Sequence, residues 1–385
     1  MAFLAKWLPR IGASLSRPKL TPRVFPSTFP RIPSHQKVEE ENFPFYQPTR
    51  YYPVHVGQIL SSRYQVVGKL GFGVTSTVWL ARDLVQHDHV VVKVFARTAD
   101  LGLQQNTEIS VYQKIKTVLD ASSHPGRNAI RTVLDHFYLT GPAGEHQCLV
   151  HPPLWESARN VLYMNPIRRF PPMMMAMLLR QVFLALDFLH TECHLIHTDI
   201  KADNLVYNLD ASDPVLIQFE EDEMRNPSPC KKTQDGHIIC MSRHIAMPES
   251  LGYPVLCDFG SAMPGDTRNT SDAQPDAYRS PEMILQTPWS YPIDIWNVGC
   301  MVWDLCQGGH LFSYDDPEDH MYRSSVHLAS IMSLLGPVPP NMVQDCTVKS
   351  KFFNDKEWDP KKRATAAELV HDDWIKAHRS DKKSY

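Results

Sequence analysis

The chain has 385 residues, of which 43% are hydrophobic and 10% aromatic, and this composition excludes a protein that is disordered throughout. A formal net charge of −3 gives no global sign of a nucleic-acid binder, so we expect no direct contact with nucleic acid. No uninterrupted apolar run reaches membrane-spanning length, and the eight cysteines show neither a CxxC pair nor zinc-ligand spacing. These features predict a soluble intracellular protein with reduced thiols and no membrane partner.

The first residues differ from the rest of the chain in charge and proline content. Residues 1–38 contain seven Lys or Arg side chains, no Asp or Glu, and six prolines that forbid a long helix. Basic and apolar residues without acids are typical of a mitochondrial transit peptide, and a disordered basic leader is the alternative. We therefore predict that residues 1–50 form a disordered or transit-like leader and not a domain.

Short runs of β-branched and apolar residues begin after this leader. They predict antiparallel strands at 64–67, 77–80 and 90–95, because such runs fit a pleated, half-buried surface. Apolar residues then recur at helical spacing and predict a helix over about 104–119. The pattern indicates a small strand-rich region with one helix.

Two features of this region suit a nucleotide. Gly71 and Gly73 lie between the first two predicted strands, where a backbone without side chains can close over phosphates. Lys93 lies within the third strand, and a lysine in an apolar strand needs an anionic partner to offset its desolvation. Glu108 on the predicted helix can supply that partner, and a lysine that reaches solvent at a strand edge is the alternative.

A long apolar segment leads into a polar loop. Residues 173–189 contain neither Gly nor Pro and predict a buried helix. In residues 197–204, Asp199, Lys201 and Asn204 have the spacing of a phosphoryl-transfer loop. In such a loop the carboxylate accepts the substrate hydroxyl proton, the lysine neutralises phosphate charge and the asparagine holds magnesium. The alternative is an ordinary polar turn after a helix.

A second candidate metal ligand follows an insert. Asp258 comes after a short apolar run and begins an Asp-Phe-Gly sequence. The chain between Asn204 and Asp258 is far longer than a tight hairpin requires, and it carries consecutive acidic residues at 220–223. We interpret this insert, at about 208–252, as a surface excursion.

The order of these motifs resembles the eukaryotic protein kinase superfamily over residues 64–375. Residues 71–80, 197–201 and 257–262, with the entry segment 51–57, are similar to the kinases of serine/arginine-rich splicing factors, particularly their fungal relatives. The resemblance implies an α+β, bilobal protein-kinase fold. Its N-lobe, an antiparallel sheet plus one helix, would span 64–150, and its mainly helical C-lobe would span 155–375.

The resemblance also implies chemistry. It predicts a monomeric serine/threonine protein kinase of the cytoplasm or nucleus that uses ATP and Mg²⁺ on a protein substrate, Arg/Ser-rich or basic. Asp199 and Lys201 would be catalytic, and Asn204 and Asp258 would hold the metal. The nucleotide residues would be Leu70, Gly71, Gly73, Ser76, Val78, Lys93, Glu108 and Leu154. Leu154 is included because two prolines just before it lack amide donors for adenine.

Several positions concern regulation and substrate. Thr198 replaces the arginine that in many kinases binds a phosphate group on the activation loop. The replacement implies activity without that phosphorylation. The family resemblance also implies that carboxylates following Phe312 receive arginine-rich substrate, although a solvated acidic turn is the alternative. These carboxylates are Asp315, Asp316, Glu318 and Asp319.

One departure from the family keeps other functions open. Relatives carry further helices where Glu357 runs directly into Trp358, so the large lobe is shortened here. A pseudokinase or scaffold is therefore the alternative to an active enzyme. A small-molecule phosphotransferase is disfavoured by the complete series of motifs through Arg363, which the family pairs with Glu282.

Overall fold

The structure is a computed structural model that describes residues 20–97, 101–141, 144–233, 237–339, 342, 346 and 348. Along the chain, an antiparallel sheet precedes a mainly helical region. The strands in chain order are β1 (Ile59–Leu60), β2 (Tyr64–Phe72), β3 (Ser76–Asp83), β4 (His89–Phe95), β5 (Asp135–Gly141), β6 (Gly144–His151), β7 (Leu154–Ser157), β8 (Leu195–Ile196), β9 (Leu205–Asn208), β10 (Cys230–Lys232), β11 (Ile238–Cys240), β12 (Pro254–Leu256) and β13 (Met263–Pro264). The α-helices are α1 (Leu101–Ala121), α2 (Ala158–Met164), α3 (Pro172–Thr191), α4 (Pro214–Arg225), α5 (Pro281–Ile284), α6 (Pro292–Gln307) and α7 (Ser324–Leu335).

The largest sheet has the strand order β1-β2-β3-β4-β6-β5. The three strands predicted from β-branched runs lie within β2, β3 and β4, which pair antiparallel in sequence order. The antiparallel sheet is therefore confirmed. Strands β5 and β6 were not predicted, because polar side chains interrupt their apolar residues.

The chain divides into two units, which are described separately. Unit 1 comprises residues 1–96, 137–148 and 216–244, and unit 2 comprises residues 97–136, 149–215 and 245–385. The middle of the insert thus belongs with the sheet strands, although it lies far from them in sequence.

In unit 1, the leader is ordered from residue 20 onward, contrary to the prediction of disorder through residue 50. Gln65 of β2 donates through Nε2 to the carbonyl of Arg23 at 2.7 Å, and Phe25 is buried. Lys69 of β2, only 1% exposed, places Nζ 2.5 Å from the carboxylate of Glu40. The prediction failed because these stabilising partners come from strands later in the chain. Residues 1–19, which carry the transit-like pattern, lie outside the described residues.

The prediction of a surface excursion is wrong for two of the four consecutive acidic residues of the insert, which are buried. Glu220 and Glu223 of α4 are buried, at 1% and 0% exposure. Glu220 lies 3.0 Å from Arg23 and 3.4 Å from Arg82, while Glu223 lies 2.6 Å from Arg243. Buried carboxylates persist when cations compensate them, so the two ion pairs of Glu220 join the insert to the leader and the sheet within unit 1.

The prediction that all thiols are reduced is wrong for one pair. Cys230 and Cys240 form a disulfide across the antiparallel strands β10 and β11, with their Cα atoms 4.1 Å apart. Spacing alone could not show this pairing, because ten residues separate the two cysteines and only the hairpin brings them together.

Unit 2 is built around α3, which confirms the buried helix predicted over 173–189. Leu178, Val182 and Phe188 on this helix are fully or almost fully buried. Among the described residues, α3 alone has the length and apolar composition of a membrane span, and 67% of the stretch is buried inside the protein. A buried core helix has the same properties, so the resemblance to a span carries little weight.

Candidate active site

The polar loop at 197–204 is positioned by the strands on either side of it. It follows β8 and enters β9, which pairs antiparallel with β12 so that Leu205 lies opposite Leu256. The amide of Cys257 donates to the carbonyl of Asn204 at 2.8 Å. Asp258 follows immediately, so the hairpin topology places the predicted metal ligands Asn204 and Asp258 at neighbouring strand ends.

Three predicted residues of this loop form one hydrogen-bonded group. Lys201 Nζ lies 2.8 and 3.0 Å from the two carboxylate oxygens of Asp199. Asn204 Nδ2 donates to Asp199 twice, at 2.9 Å to the carboxylate and 2.8 Å to the backbone carbonyl. These contacts fix the direction of the Asp199 carboxylate, and they leave the side-chain oxygen of Asn204 for a cation.

The loop is supported by a carboxylate to which sequence analysis gave no role. Asp294, at the start of α6 and fully buried, accepts the backbone N–H groups of His197 and Thr198 at 2.9 and 2.8 Å. His190 Nε2 donates to the same carboxylate at 2.9 Å. The only sequence signal was an acid that begins an apolar helical run about one hundred residues downstream of the loop.

The side chain of His197 joins the loop to the Asp-Phe-Gly segment. Its Nε2 donates to the carbonyl of Cys257 at 3.0 Å, and its Nδ1 accepts the amide of Asp199 at 3.2 Å. Its ring also packs edge-on against Phe259, with centroids 5.3 Å apart. Phe259 is fully buried, whereas Asp258 is exposed and has φ = +64°, so the segment turns its carboxylate outward.

Glu108 of α1 lies near the same segment. Glu108 is 3% exposed, and a Cβ added to Gly260 would lie 3.4 Å from Glu108 Oε2. Burial, followed by the charge of Glu108, raises the pKa of the Tyr112 phenol well above its usual value. The predicted pairing of Lys93 with Glu108 stays a prediction, since the two residues belong to different units.

The glycine-rich hairpin of unit 1 joins β2 to β3. The amide of Gly73 donates to the carbonyl of Ser76 at 2.8 Å, which closes the turn. A Cβ added to Gly71 would meet no atom of the described residues within 4 Å, so the packing of those residues does not require glycine there. Open space beside a backbone without a side chain fits the close approach of a phosphate.

The remaining predicted nucleotide residues occupy strands. Leu70 lies in β2, and Val78 of β3 is the register partner of Lys93 in β4, whose Nζ is 4.8 Å from the Phe95 ring centroid. Leu154 begins β7 in unit 2, is 7% exposed and packs against Val255. The sequence-predicted residues thus lie on ordered elements of both units.

The donor set fits magnesium. Among the described residues no group of three or more His, Cys, Asp or Glu side chains could hold a metal by itself. Magnesium is usually bound by one or two protein oxygen ligands together with substrate phosphates and water. The carboxamide oxygen of Asn204 and the carboxylate of Asp258 supply such ligands.

A pocket of about 280 Å³ lies beside the loop in unit 2, lined by Lys201, Asp203 and Asp304 among others. Asp304 accepts hydrogen bonds from the Tyr278 hydroxyl at 2.7 Å and from His310 Nδ1 at 2.8 Å. The hydrogen bond to Asp304 raises the pKa of His310, against the opposing effect of burial. The pocket therefore combines two carboxylates with four basic side chains, which are Arg159, Arg168, Lys201 and His310.

The acidic cluster after Phe312 is partly neutralised within the protein. Arg323 lies 2.5 Å from Asp319 and 3.8 Å from Asp316, and His320 lies 3.6 Å from Asp315. These contacts favour the interpretation as a solvated turn over a dedicated arginine receptor. Arg363 and the junction of Glu357 with Trp358 lie outside the described residues.

Comparison with known proteins gives consistent results. Residues 64–375 match the family described as protein kinase domain. A serine/threonine protein kinase of Aspergillus fumigatus is 34% identical over 96% of this chain and 98% of its own length. The serine/threonine-protein kinase SRPK of Physarum polycephalum is 30% identical over 83% of this chain and 77% of its own length. Protein kinase dsk1 of Schizosaccharomyces pombe is 27% identical over 83% of this chain and 74% of its own length. The resemblance indicated by the motifs is confirmed.

Proposed function

This chain belongs to the protein kinase family as a serine/threonine protein kinase, and from that premise we propose that it phosphorylates Arg/Ser-rich or other basic proteins. The observation that carries the phosphate-transfer part of the proposal is the Asp199 carboxylate, which Lys201 and Asn204 hold in one direction. Such a carboxylate can accept the proton of a serine hydroxyl as it attacks a phosphate.

The roles of the loop residues follow from their contacts. Asp199 orients the substrate hydroxyl and takes its proton. Lys201, whose Nζ is 2.8 Å from that carboxylate, can also neutralise charge on the transferred phosphate. Asn204 and Asp258 offer oxygens to Mg²⁺. When bound, Mg-ATP supplies the transferable phosphate and the divalent charge that stabilises it.

The nucleotide roles extend the same proposal. Gly71 and Gly73 give the phosphates close access to the backbone, and Leu70 and Val78 supply apolar surface for the adenosine part. Ser76 holds the hairpin closed through its carbonyl. Lys93 would bind phosphate oxygens, and the Leu154 amide would be the donor for adenine. Unit 1 holds the sheet strands expected of the N-lobe, whereas the helix expected there, α1, belongs to unit 2.

The substrate class is supported by the pocket beside Lys201. Its carboxylates, Asp203 and Asp304, suit guanidinium groups because an arginine donates paired, charge-assisted hydrogen bonds to a carboxylate. Arg159, 3.2 Å from Asp203, and His310 show that cations already lie against both carboxylates. A substrate arginine would replace or join them.

The proposal is tested by Mg-ATP-dependent phosphate transfer to a peptide panel, with Asp199→Asn as the inactive control. The panel contains Arg/Ser repeats, acidic serine peptides and proline-directed peptides. We expect transfer to be concentrated on the Arg/Ser peptides and to be lost in the control. Transfer to another class would contradict the substrate proposal, and no transfer by a folded, ATP-binding preparation would favour a scaffold.

The compartment needs a separate test. The family resemblance supports the cytoplasm or nucleus, while the acid-free, basic composition of residues 1–38 supports mitochondrial import. A fluorescent reporter fused to residues 1–50 distinguishes the two, because only a transit peptide would carry the reporter into mitochondria.

A further inference from the structure

The ordered arm of unit 1, residues 20–57, reaches the glycine-rich hairpin through one side chain. The hydroxyl of Tyr51 donates toward the carbonyls of Gly73 and Val74, at 3.2 and 3.1 Å. Tyr51 is 5% exposed, whereas Val74 at the hairpin tip is 62% exposed. A buried donor that precedes the family-matched residues 64–375 therefore holds the exposed end of the predicted phosphate loop.

Peptide geometry gives this contact a consequence. In a trans peptide the C=O and the following N–H point to opposite sides of the chain, and no described peptide bond is cis. Because the carbonyls of Gly73 and Val74 face Tyr51, the N–H groups of Val74 and Thr75 point away from it. Successive N–H groups directed to one side form a concave site for anions.

The arm is anchored at two residues that precede Tyr51, so its position near the hairpin does not rest on one hydrogen bond. Glu40 of the arm is 3% exposed and pairs with Lys69 of β2 at 2.5 Å. Phe43 of the arm packs against Phe72, at the end of β2, with ring centroids 5.7 Å apart. These contacts bring the arm to the hairpin and hold it there.

Tyr51 stays a donor under ordinary conditions. Burial, followed by the charge of Glu40, raises the pKa of the Tyr51 phenol to about 12. The hydroxyl proton is therefore present throughout the neutral pH range, and the contact with the two carbonyls does not depend on pH there.

We propose that Tyr51 is a positioning residue for ATP, which directs the Val74 and Thr75 amides toward the phosphates by holding the two preceding carbonyls. This role rests on the proposed use of ATP. It assigns the arm to the nucleotide site, although the arm precedes residues 64–375, which match the kinase family.

The test compares Tyr51→Phe with Tyr52→Phe in the full chain. Tyr52 is the matched control, because its hydroxyl accepts from Gln58 at 3.1 Å within the arm and the same atom is removed. Calorimetric titration uses two ligands, the non-hydrolysable Mg-adenylyl imidodiphosphate and adenosine. Adenosine has no phosphates, so it reports any general loosening of the site.

We expect Tyr51→Phe to weaken binding of the ATP analogue about two- to tenfold, the equivalent of one lost hydrogen bond, with adenosine unchanged. The KM for ATP should rise by a similar factor while the KM for peptide stays constant, and Tyr52→Phe should match the unsubstituted protein. Equal weakening of both ligands, or no weakening, would overturn the role of Tyr51 alone. Failure of the unsubstituted protein to bind the analogue would overturn the proposed function as well.

Discussion

The carboxylate of Asp294 accepts the backbone N–H of Thr198 at 2.8 Å and thereby holds that residue at φ = +69°. This left-handed conformation is strained for a β-branched residue and costs on the order of 1–3 kcal/mol. Thr198 Oγ1 also donates to the carbonyl of Ser261 at 2.8 Å. A fully buried acid, far away in sequence, thus maintains the strained conformation of Thr198. Asp199 is the residue that follows Thr198, so the strain lies directly beside the proposed catalytic carboxylate.

Asp294→Asn should therefore destabilise the protein and reduce phosphate transfer together. An asparagine keeps one acceptor but turns an NH₂ group toward a backbone N–H, so we expect a loss of about 3 kcal/mol in unfolding free energy. Urea unfolding measures it. Asp120→Asn, at an exposed position near the end of α1, is the matched control and should stay within about 0.5 kcal/mol of the parent. Equal effects of the two substitutions would contradict the supporting role.

The buried pair of Lys69 with Glu40 predicts strong coupling between two substitutions. Lys69→Met leaves a buried carboxylate without its cation and should cost about 3–5 kcal/mol of unfolding free energy. Combining it with Glu40→Met removes two of three buried charges, because Glu39 also lies 3.4 Å from Lys69 Nζ, so the double variant should lose less than the sum of the single losses. Urea unfolding of the four proteins gives the coupling energy.

An exposed pair supplies the control for that cycle. Arg225 and Glu221 are 2.7 Å apart on α4, with side chains 68% and 44% exposed. Arg225→Met should change the unfolding free energy by less than about 0.5 kcal/mol, because solvent screens the pair. Additive losses at Lys69 and Glu40 would show that the buried contact does not stabilise the arm.

His310 should oppose basic substrates in a pH-dependent way. The hydrogen bond to Asp304 raises the pKa of His310. The imidazole is therefore positively charged beside Asp304 at low pH and becomes neutral as pH rises above the usual histidine range. His310→Ala should increase kcat/KM for Arg/Ser peptides about two- to fivefold at pH 6, and by less at pH 8.5. Peptide assays at both pH values measure this. A gain independent of pH would contradict competition by the imidazolium.

His327 of α7 predicts a loss of stability in acid. The residue is fully buried among Phe312, Tyr314 and Tyr322, and burial followed by Arg279 lowers its pKa to about 4. The folded protein therefore favours the neutral ring. The contribution of His327 to the unfolding free energy is complete above pH 6.5, the ordinary histidine pKa, and falls as pH decreases toward 4. The total loss is about 3 kcal/mol, because each pKa unit corresponds to about 1.4 kcal/mol.

His327→Phe should remove that part of the acid dependence. Neither ring nitrogen of His327 has a hydrogen-bond partner within the described part of the chain, so a phenyl ring sacrifices no such bond. Urea unfolding at pH 7 and pH 4.5 should show a smaller difference for the variant than for the parent protein. Identical pH dependence would contradict a neutral buried histidine.

Local pattern was sufficient for the elements that carry the predicted chemistry. Alternating and β-branched runs located β2, β3 and β4, and a long apolar segment located α3. Asp199, Lys201 and Asn204 lie within six residues, so the short loop itself brings them together. Their spacing, with Asp258 and the glycines, was enough to indicate the family.

What the sequence by itself determined was therefore the family, the main strands, the central helix and the residues of the loop, since these depend on neighbours along the chain. Only the tertiary structure decided that the leader is an ordered arm, that Glu220 and Glu223 are buried, and that Cys230 pairs with Cys240. It also decided that Asp294 supports the loop. The partners of most of these groups are far away in sequence, for example 97 residues between His197 and Asp294, and no local pattern specifies which distant segments will compensate a buried charge.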